Sequence, residues 1–455
     1  MTWHLRTIVA FAIVSMTSLL PYNLFMNAHE YFYYKLRNVT DIGAIDDDED
    51  LFTALYRSRN VTHKDGDHST ELQRNYEGWF TVMSGLACIL GALLNTLATN
   101  KLSNGFRVTT GHAIVILSLL PTLLFTFIDT DDGQVHFFWL SMLFSSVASF
   151  GSMGLIGSGI TGLAATFPQS YMQIVMVGQA VAGISTSLLS IVCQAATANA
   201  LLNGRIYFGL AILWTLISVL SYFCLVRSEY AKEIIDRYED GHERLLEESD
   251  EMEVDGVERE EGGENEEGVV TSLRPIDEPT VWTTYRVIFE KARGDILIAG
   301  FILLVTLSAF PAVASLVQTR TLNETWRAYF SSICCFLLFN CCDLMGRVFA
   351  SRVDISRDLL QKLSAARLLL VPLIISCNIQ PRYHTPSLLR NDAFFILLNM
   401  ALGLSHGFLI THASIKAVKS VDGSLRETAG SVLALVCVAA SLLGSMIGVG
   451  IVTLI

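Results

Sequence analysis

The chain has 455 residues, of which 52% are hydrophobic and only 16% are charged, and its mean hydropathy is +0.47. Soluble domains carry about 25% charged residues, so this composition argues against a soluble protein and indicates a membrane protein. The formal net charge of −12 does not identify a substrate, because the segment 229–267 alone holds 18 acids and 4 bases.

Eleven apolar runs follow one another along the chain, and each is long enough to cross about 30 Å of hydrocarbon as a helix. Backbone groups inside a bilayer have no water to bind, so the predicted fold class is all-α, a polytopic membrane bundle. The runs are 5–30, 78–99, 109–128, 136–160, 171–196, 205–226, 296–318, 327–350, 361–379, 393–415 and 428–453. The first run lacks a small-x-small cleavage site and is predicted to be a retained helix, not a signal peptide.

The first and seventh spans each contain a proline. In "SLLPYN" (18–23), Pro21 removes one backbone hydrogen bond, which predicts a kink. "SAFPAV" (308–313) places Pro311 at the corresponding position of the second half. A lone proline kink is more often structural than functional, but paired interrupted helices are what a gating transporter uses.

The fourth span is rich in glycine, with five between 151 and 162. It lacks the GK[ST] of a phosphate loop, so close packing between helices is the favoured interpretation. The nine cysteines all fall in apolar runs with no CxxC pair, and no metal or cofactor site is predicted. His29, His406 and His412 are interpreted as packing or hydrogen-bonding residues, and no catalytic constellation indicates an enzyme.

The acidic segment 229–290 is poor in aromatic residues and predicts a largely disordered cytoplasmic linker. It separates an N-terminal six-helix bundle, 1–228, from a C-terminal five-helix bundle, 291–455. Two helical halves joined by a long loop suggest a transporter with a site between them at the bilayer midplane.

Loop charge predicts the orientation. The short connections at 101–107, 352–362 and 416–426 are basic and therefore predicted to be cytoplasmic, which puts the N-terminus inside and the C-terminus outside. The N-x-[ST] sequons at Asn38, Asn60 and Asn323 all fall in connections predicted to be outside, and Asn60 is the best candidate for glycosylation. The plasma membrane is the expected location.

The eighth span contains the polar stretch "FNCCDLMGR", 339–347. Phe336, Asn340, Asp343 and Arg347 follow a 4-3-4 spacing, which puts them on one stripe of a helix with the acid and the arginine in reach of each other. Ionisable residues inside membrane spans are rare and usually line pathways, so the stripe is a candidate cavity wall. The alternative is a buried ion pair that only locks helix packing, and the two interpretations are compatible.

The chain resembles the equilibrative nucleoside transporters over nearly its whole length outside the first outer loop and the linker. The motifs that carry the resemblance are "LLPYN" (19–23), "FPQSYMQIVMVGQAVAG" (167–183), "FPAV" (310–313), "FNCCDLMGR" (339–347), "ARLLLVPLIISCNIQPR" (366–382) and "ETAGSVLA" (427–434). The resemblance implies a major-facilitator-like arrangement of six plus five helices. It also implies that purine and pyrimidine nucleosides, often with nucleobases, pass by alternating access without ATP.

The same resemblance assigns residue roles. Asp343 and Arg347 match the family residues that contact the sugar and purine region, and Asn340 lines the same cavity. A ribose offers hydroxyls to a carboxylate, and an aromatic ring such as Tyr22 or Phe336 can pack against the base. The implied substrate site also includes Leu19, Asn23, Gln179 and Phe310. Nucleosides and membrane lipids are the expected partners, with no nucleic acid.

Departures from the family pattern keep selectivity open. Tyr22 stands where the family usually has tryptophan, Ser15 and Thr17 replace early glycines, and Gly157 replaces a common glutamine. Alternatives within the family are proton-coupled transport in an acidic organelle, through protonation of Asp343, and organic-cation transport, which neutral Gln179 argues against. A ligand-sensing receptor is a remote alternative, because eleven spans do not suit a seven-helix receptor.

Overall fold

The computed structural model describes residues 2–38, 70–99, 101–196, 199–238, 281–380, 382 and 387–455. This part of the chain is helical and contains no β-strand, only two isolated bridges, which confirms the all-α prediction for it. The sequon at Asn60 and the middle of the predicted linker, 239–280, lie outside the described residues. The described ends of that linker, 229–238 and 281–290, are helical.

Six passes form the first half of the bundle. Its helices are α1 (Thr2–Asn27), α2 (His29–Lys35), α3 (Glu71–Ala98), α4 (Asn104–Leu124), α5 (Gln134–Ser149), α6 (Ser158–Thr166), α7 (Gln169–Ala196), α8 (Ala200–Val226) and α9 (229–238). A π-helical segment, Phe150–Gly157, joins α5 and α6 into one pass. The end of the bundle where α1 begins is termed the inner end, and the opposite end the outer end.

Five passes form the second half. Its helices are α10 (Val281–Ala309), α11 (Glu324–Phe330), α12 (Leu338–Phe349), α13 (Arg357–Ala366), α14 (Leu370–Ile375), α15 (Asp392–Lys419) and α16 (Arg426–Leu454). The π-helical segment Ser331–Leu337 joins α11 to α12, and the 3₁₀ turn Arg367–Leu369 joins α13 to α14. Further 3₁₀ turns lie at Asp131–Gly133, Ala314–Leu316 and Gly423–Leu425.

Ten helical segments among the described residues are long and apolar enough to cross a membrane. The remaining pass, α13 to α14, is broken by its 3₁₀ turn but still runs from one end of the bundle to the other. Its first residue, Arg357, pairs with Asp295 near the inner end at 2.9 Å. Beyond its other end, the backbone carbonyl of Asn378 accepts from the Gln318 amide at 2.9 Å, at the outer end. With this broken pass, the described residues make eleven passes, the number that the apolar runs predict.

Polar side chains in the connections set where several passes begin. Thr70 and Gln73 form a reciprocal capping box at the start of α3. At the start of five further helices a side-chain oxygen likewise accepts a hydrogen bond from a backbone N–H; the accepting residues are Ser103, Asn199, Asn323, Ser356 and Asn391. Such caps satisfy donors that have no partner within the helix, so the helices begin at fixed positions.

The two prolines act differently. α1 is helical through Pro21 as far as Asn27, so this span is not interrupted. α10 ends at Ala309, because a proline at 311 disfavours the helical conformation of the residue before it. The predicted matching pair of broken helices is thus seen on one side only.

α12 and α15 pack with their backbones in close contact. A Cβ atom on Gly407 would overlap the Asp343 carbonyl, and one on Gly403 would lie 2.7 Å from the Phe339 carbonyl oxygen. Gly346 makes the reciprocal approach from α12. Small residues allow this contact in a membrane, where dispersion between closely packed helices replaces the hydrophobic effect.

We predict that Gly407→Ala lowers the melting temperature of the detergent-purified protein, because the added carbon overlaps backbone and overpacking costs roughly 1–3 kcal/mol. Gly209→Ala in α8 is the matched control. A Cβ there would meet nothing within 4 Å, and alanine in a helix is favoured over glycine by about 0.5–1 kcal/mol. Equal melting temperatures for wild type and Gly407→Ala would contradict the close contact.

Candidate functional site

The stripe on the eighth span becomes progressively buried from the outer end inward. Phe336 and Asn340 are half-buried, whereas Asp343 is only 4% exposed and Arg347 6%. The predicted 4-3-4 stripe faces α7 of the other half, so its residues lie between the two halves of the bundle.

Asp343 and Arg347 form an ion pair inside the membrane span. Arg347 Nε donates to both Asp343 carboxylate oxygens, at 3.1 and 3.0 Å. Arg347 Nη1 donates to the Met176 carbonyl on α7 at 2.8 Å. The pair therefore satisfies its own charge and at the same time ties α12 to the first half.

Asn340, one turn nearer the outer end, makes a second hydrogen bond between α12 and α7. Its Nδ2 donates to Ser187 Oγ on α7 at 3.0 Å. The carboxamide fills the space beside Gly183, where any Cβ would overlap it. Gln179, one turn before Gly183 on α7, is half-buried.

The predicted residues of the first span lie on the outer half of α1. Leu19, Tyr22 and Asn23 are half-buried, unlike their neighbours Leu20 and Leu24. The Tyr22 ring is within contact of Phe80 on α3, at 5.3 Å between centroids. These three side chains thus retain accessible surface next to buried neighbours on the outer half of α1.

Aromatic rings flank the stripe on the second half. Phe310 stacks on Phe339, with ring centroids 4.0 Å apart and planes at 12°. Phe336 meets Phe310 edge-on at 5.6 Å. Phe310 and Phe336, both predicted substrate-site residues, therefore lie together, and Phe339 packs with them.

Sequence reasoning missed the partners of Asp343. His406 Nε2 lies 4.0 Å from Asp343 Oδ1, and His406 Nδ1 lies 3.0 Å from Thr306 Oγ1. Arg367, which is 3% exposed, donates to Thr306 Oγ1 at 2.9 Å. These groups come from three other passes, so no spacing in the sequence connects them, although an arginine within an apolar run was an available signal.

Gly157 does not leave an open position in a cavity. It is buried, and a Cβ there would lie 3.3 Å from Ser18 Cβ on α1. The glycine that replaces the family glutamine therefore lets α1 approach the π-helical segment. π-Helical turns are rare and frequently occur at functional sites, and here one such segment contacts α1 and the other, Ser331–Leu337, leads into the stripe.

A polar cluster joins the two halves at the inner end. Arg107 pairs with Glu427 and also donates to Asn95 Oδ1 at 2.8 Å, while Asn104 Nδ2 donates to Glu427 at 3.1 Å. Tyr285 adds a bond to the Thr96 carbonyl at 2.8 Å. Arg107 and Glu427 belong to different halves, so this cluster, termed the inner lock, joins the two halves at the inner end.

At the outer end, longer hydrogen bonds join the two halves. Gln194 on α7 donates to the Ala328 carbonyl and accepts from Ser332, both at 3.4 Å. These distances are at the weak end of the range for hydrogen bonds. Among the described residues, a buried ion pair thus joins the halves at the inner end, whereas these outer-end contacts are between neutral groups.

A cavity of about 650 Å³ lies at the inner end, between α7, α9 and the connection from α15 to α16. Its lining includes Tyr238, whose hydroxyl donates to the Ser424 carbonyl at 2.8 Å. None of the predicted substrate residues lines it. The candidate site is therefore defined by the stripe and its partners, not by this inner cavity.

Two of the predicted sequons are described, and both lie at the outer end. Asn323 is exposed at the start of α11, where its Oδ1 accepts from the Trp326 amide at 3.0 Å. Asn38 is exposed beyond α2. Both positions agree with the end of the bundle that loop charge assigns to the outside.

Comparisons with known proteins agree with the geometry. A model of the nucleoside transporter family matches residues 140–453. The chain is similar to equilibrative nucleoside transporter 2 of Homo sapiens, with 28% identity over 448 residues that cover 93% of this chain and 92% of that protein. It is also similar to equilibrative nucleoside transporter 1 of Homo sapiens, with 27% identity over 439 residues and the same coverage.

A solved structure of a double-tryptophan mutant of XylE has a similar fold. The TM-score is 0.56 at 13% identity, and the match covers 95% of this chain and 86% of that chain. This likeness confirms the predicted major-facilitator-like bundle. The family match, which spans more than half of the chain, confirms that the protein is not an enzyme. The chain belongs to the nucleoside transporter family.

Proposed function

We propose that the protein carries nucleosides across the membrane by facilitated, alternating-access transport. The observation that supports this most is the Asp343–Arg347 pair, placed between the two halves at the buried end of a half-buried polar stripe. The similar proteins are named as nucleoside transporters, which supports the same substrate class. Nucleobases are a further candidate substrate.

The chemistry of the stripe suits a nucleoside. A carboxylate accepts hydrogen bonds from sugar hydroxyls, and charge-assisted bonds are about twice as strong as neutral ones. Asn340 offers both a donor and an acceptor, and the rings of Phe310 and Phe336 offer flat apolar surface for a base.

The inner lock supports an alternating cycle. With Arg107 and Glu427 engaged, the inner end is closed and the half-buried face of α1 lies toward the outer end. Release of the lock would open the inner end, while closure of α1 against α10 would cover the outer one. A ligand drives such a cycle only through its different affinity for the two states.

Facilitated transport is favoured over proton-coupled transport. Arg347 contacts both oxygens of Asp343, and a guanidinium at this distance stabilises the ionised carboxylate. The proximity of His406 keeps the proton-coupled alternative as the second candidate. We place the protein in the plasma membrane, with the N-terminus cytoplasmic and the C-terminus extracellular.

Uptake of labelled adenosine and uridine into vesicles separates these two candidates. We expect uptake that stops when the inside and outside concentrations are equal and that is unaffected by a pH gradient. Accumulation above equilibrium that depends on an inward proton gradient would support the proton-coupled alternative and contradict the facilitated one.

We predict that Asp343→Asn reduces uridine uptake per surface molecule at least about tenfold, since a charge-assisted bond to the sugar contributes roughly 1.5–3 kcal/mol. Surface protein is measured in parallel by biotinylation. Glu233→Gln, which breaks the exposed pair with Arg237, is the matched control and keeps full uptake. Normal uptake per surface molecule in Asp343→Asn would leave the pair with a packing role alone.

We also predict that Glu427→Gln opens the inner end. Removing one partner of a buried pair costs about 3–5 kcal/mol, and an inner-open state relieves this cost by giving Arg107 access to water. Ser431 is fully buried and accepts a hydrogen bond from Asn95 of the lock. A cysteine introduced by Ser431→Cys in the Glu427→Gln background is therefore expected to react with a thiol reagent supplied to the inner face.

The control for this experiment is Glu290→Gln, which breaks the exposed pair with Arg286 and is expected to leave Ser431→Cys protected. Labelling is compared with that of the same background without the Ser431→Cys substitution. Protection that persists in Glu427→Gln would show that the ion pair does not hold the inner end closed.

A further inference from the structure

A chain of buried polar groups leads away from Asp343 through three passes. It continues to His406 on α15, then to Thr306 on α10, and ends at Arg367 between α13 and α14. All four side chains are nine-tenths or more buried. The role proposed for Asp343 does not by itself explain why a neutral imidazole should lie beside it.

The hydrogen bonds of Thr306 determine which nitrogen of His406 carries the proton. The Thr306 hydroxyl has one hydrogen, which it donates to the Ile302 carbonyl at 2.6 Å. The guanidinium of Arg367 can only donate, so Thr306 Oγ1 accepts from it. The remaining contact, between Thr306 Oγ1 and His406 Nδ1 at 3.0 Å, therefore requires a hydrogen on Nδ1.

With the hydrogen on Nδ1, the Nε2 atom of neutral His406 is an acceptor. It faces Asp343 Oδ1, a second acceptor, at 4.0 Å, and no hydrogen lies between them. The charged groups around His406 are Asp343 and Arg347 on α12 and Arg367 on the opposite side. A proton on His406 would set three cations against a single carboxylate, which favours the neutral imidazole.

We propose that Asp343 Oδ1 and His406 Nε2 together receive the two vicinal hydroxyls of a ribose, with Thr306 and Arg367 as positioning residues that fix the His406 tautomer. This inference rests on the proposed nucleoside transport. Each ribose hydroxyl donates one hydrogen, and two neighbouring acceptors match a vicinal pair of donors. A buried acceptor without a donor disfavours an analogue that lacks one hydroxyl, so the pair selects ribonucleosides over deoxynucleosides.

The surroundings suit a nucleoside whose sugar lies nearer the inner end than its base. Asn340 lies about one turn nearer the outer end on the same stripe and is half-buried. Phe339 lies 6.1 Å from the His406 ring and stacks on Phe310. A nucleoside that enters from the outer end would thus meet the amide and the rings first and the two acceptors last.

The first test uses the wild-type protein with uridine, 2′-deoxyuridine, 3′-deoxyuridine and 2′,3′-dideoxyuridine as labelled substrates. Because each lost hydroxyl leaves one acceptor unpaired, uptake efficiency is expected to fall roughly three- to tenfold for each single loss and further for the double loss. Equal uptake of all four compounds would overturn the acceptor pair. Failure to carry any of them would instead overturn the proposed function.

The second test changes the acceptor on His406. His406→Phe keeps a ring but has no acceptor, so the ratio of uridine to 2′,3′-dideoxyuridine uptake, each measured per surface molecule, is expected to fall roughly tenfold. His406→Gln places a carboxamide oxygen in reach of the Nε2 position and is expected to retain most of the preference. An unchanged preference in His406→Phe would overturn the proposal without affecting nucleoside transport.

The third test addresses the tautomer. Thr306→Val removes the acceptor for Nδ1–H, so Nε2 can take the hydrogen and donate it to Asp343, which lowers the uridine preference. The double variant Thr306→Val/His406→Phe is expected to show no further loss. Thr215→Val is the control, because Thr215 is fully buried on α8 and makes the same bond to a carbonyl four residues earlier. If His406→Phe does not reach the membrane, an unchanged preference in Thr306→Val overturns the proposal.

Discussion

The contact between Arg347 and the Met176 carbonyl places a buried charged pair between the two halves of the bundle. An arginine within a bilayer is costly unless its donors are satisfied. Here the guanidinium is shared between Asp343 on its own helix and a backbone oxygen on α7. This sharing fixes the rotation of α12, so that Asn340 and Phe336 lie on the same interface. The glycines of α15 then bring that helix against the backbone of Asp343.

Polar contacts between the halves have different strengths at the two ends of the bundle. The Arg107–Glu427 pair is charged and almost inaccessible, while Gln194 at the outer end makes neutral bonds at the limit of the usual distance. Helices in a membrane gain little from the hydrophobic effect against one another, so such polar contacts have a disproportionate effect on which end is closed. The stripe contacts α7 between these two regions.

Much of the fold follows from the sequence, because the bilayer permits few alternatives. Apolar length predicts all eleven passes of the described residues, including the one formed by α13 and α14, whose helices are each shorter than a membrane span because a 3₁₀ turn divides them. The 4-3-4 spacing also predicts the ion pair of Asp343, since i and i+4 positions adjoin on any helix. The effect of the prolines could not be predicted in the same way, because Pro311 ends α10 whereas α1 continues through Pro21.

The surroundings of the site were not accessible from the sequence. His406, Thr306 and Arg367 are separated by up to 100 residues, and only packing of α10, α13 and α15 brings them together. The π-helical segments have no simple spacing signal either. Gly157 was expected to leave the site without an amide, yet its main contact is with α1.

The pass from α13 to α14 also has a consequence for biogenesis. Arg357, Asp358, Lys362 and Arg367 give this 19-residue segment four charges, and Arg367 lies in its middle. A central arginine disfavours insertion by about 2.5–3.5 kcal/mol. Its four acceptors lie on two other helices, Thr306 and the Ile302 carbonyl on α10 and Ser405 and the Leu402 carbonyl on α15. Two of those four acceptors, both on α15, follow the segment in the chain. The donors of Arg367 are therefore all satisfied only when α15 is in place, so this pass depends on a helix that is synthesised after it.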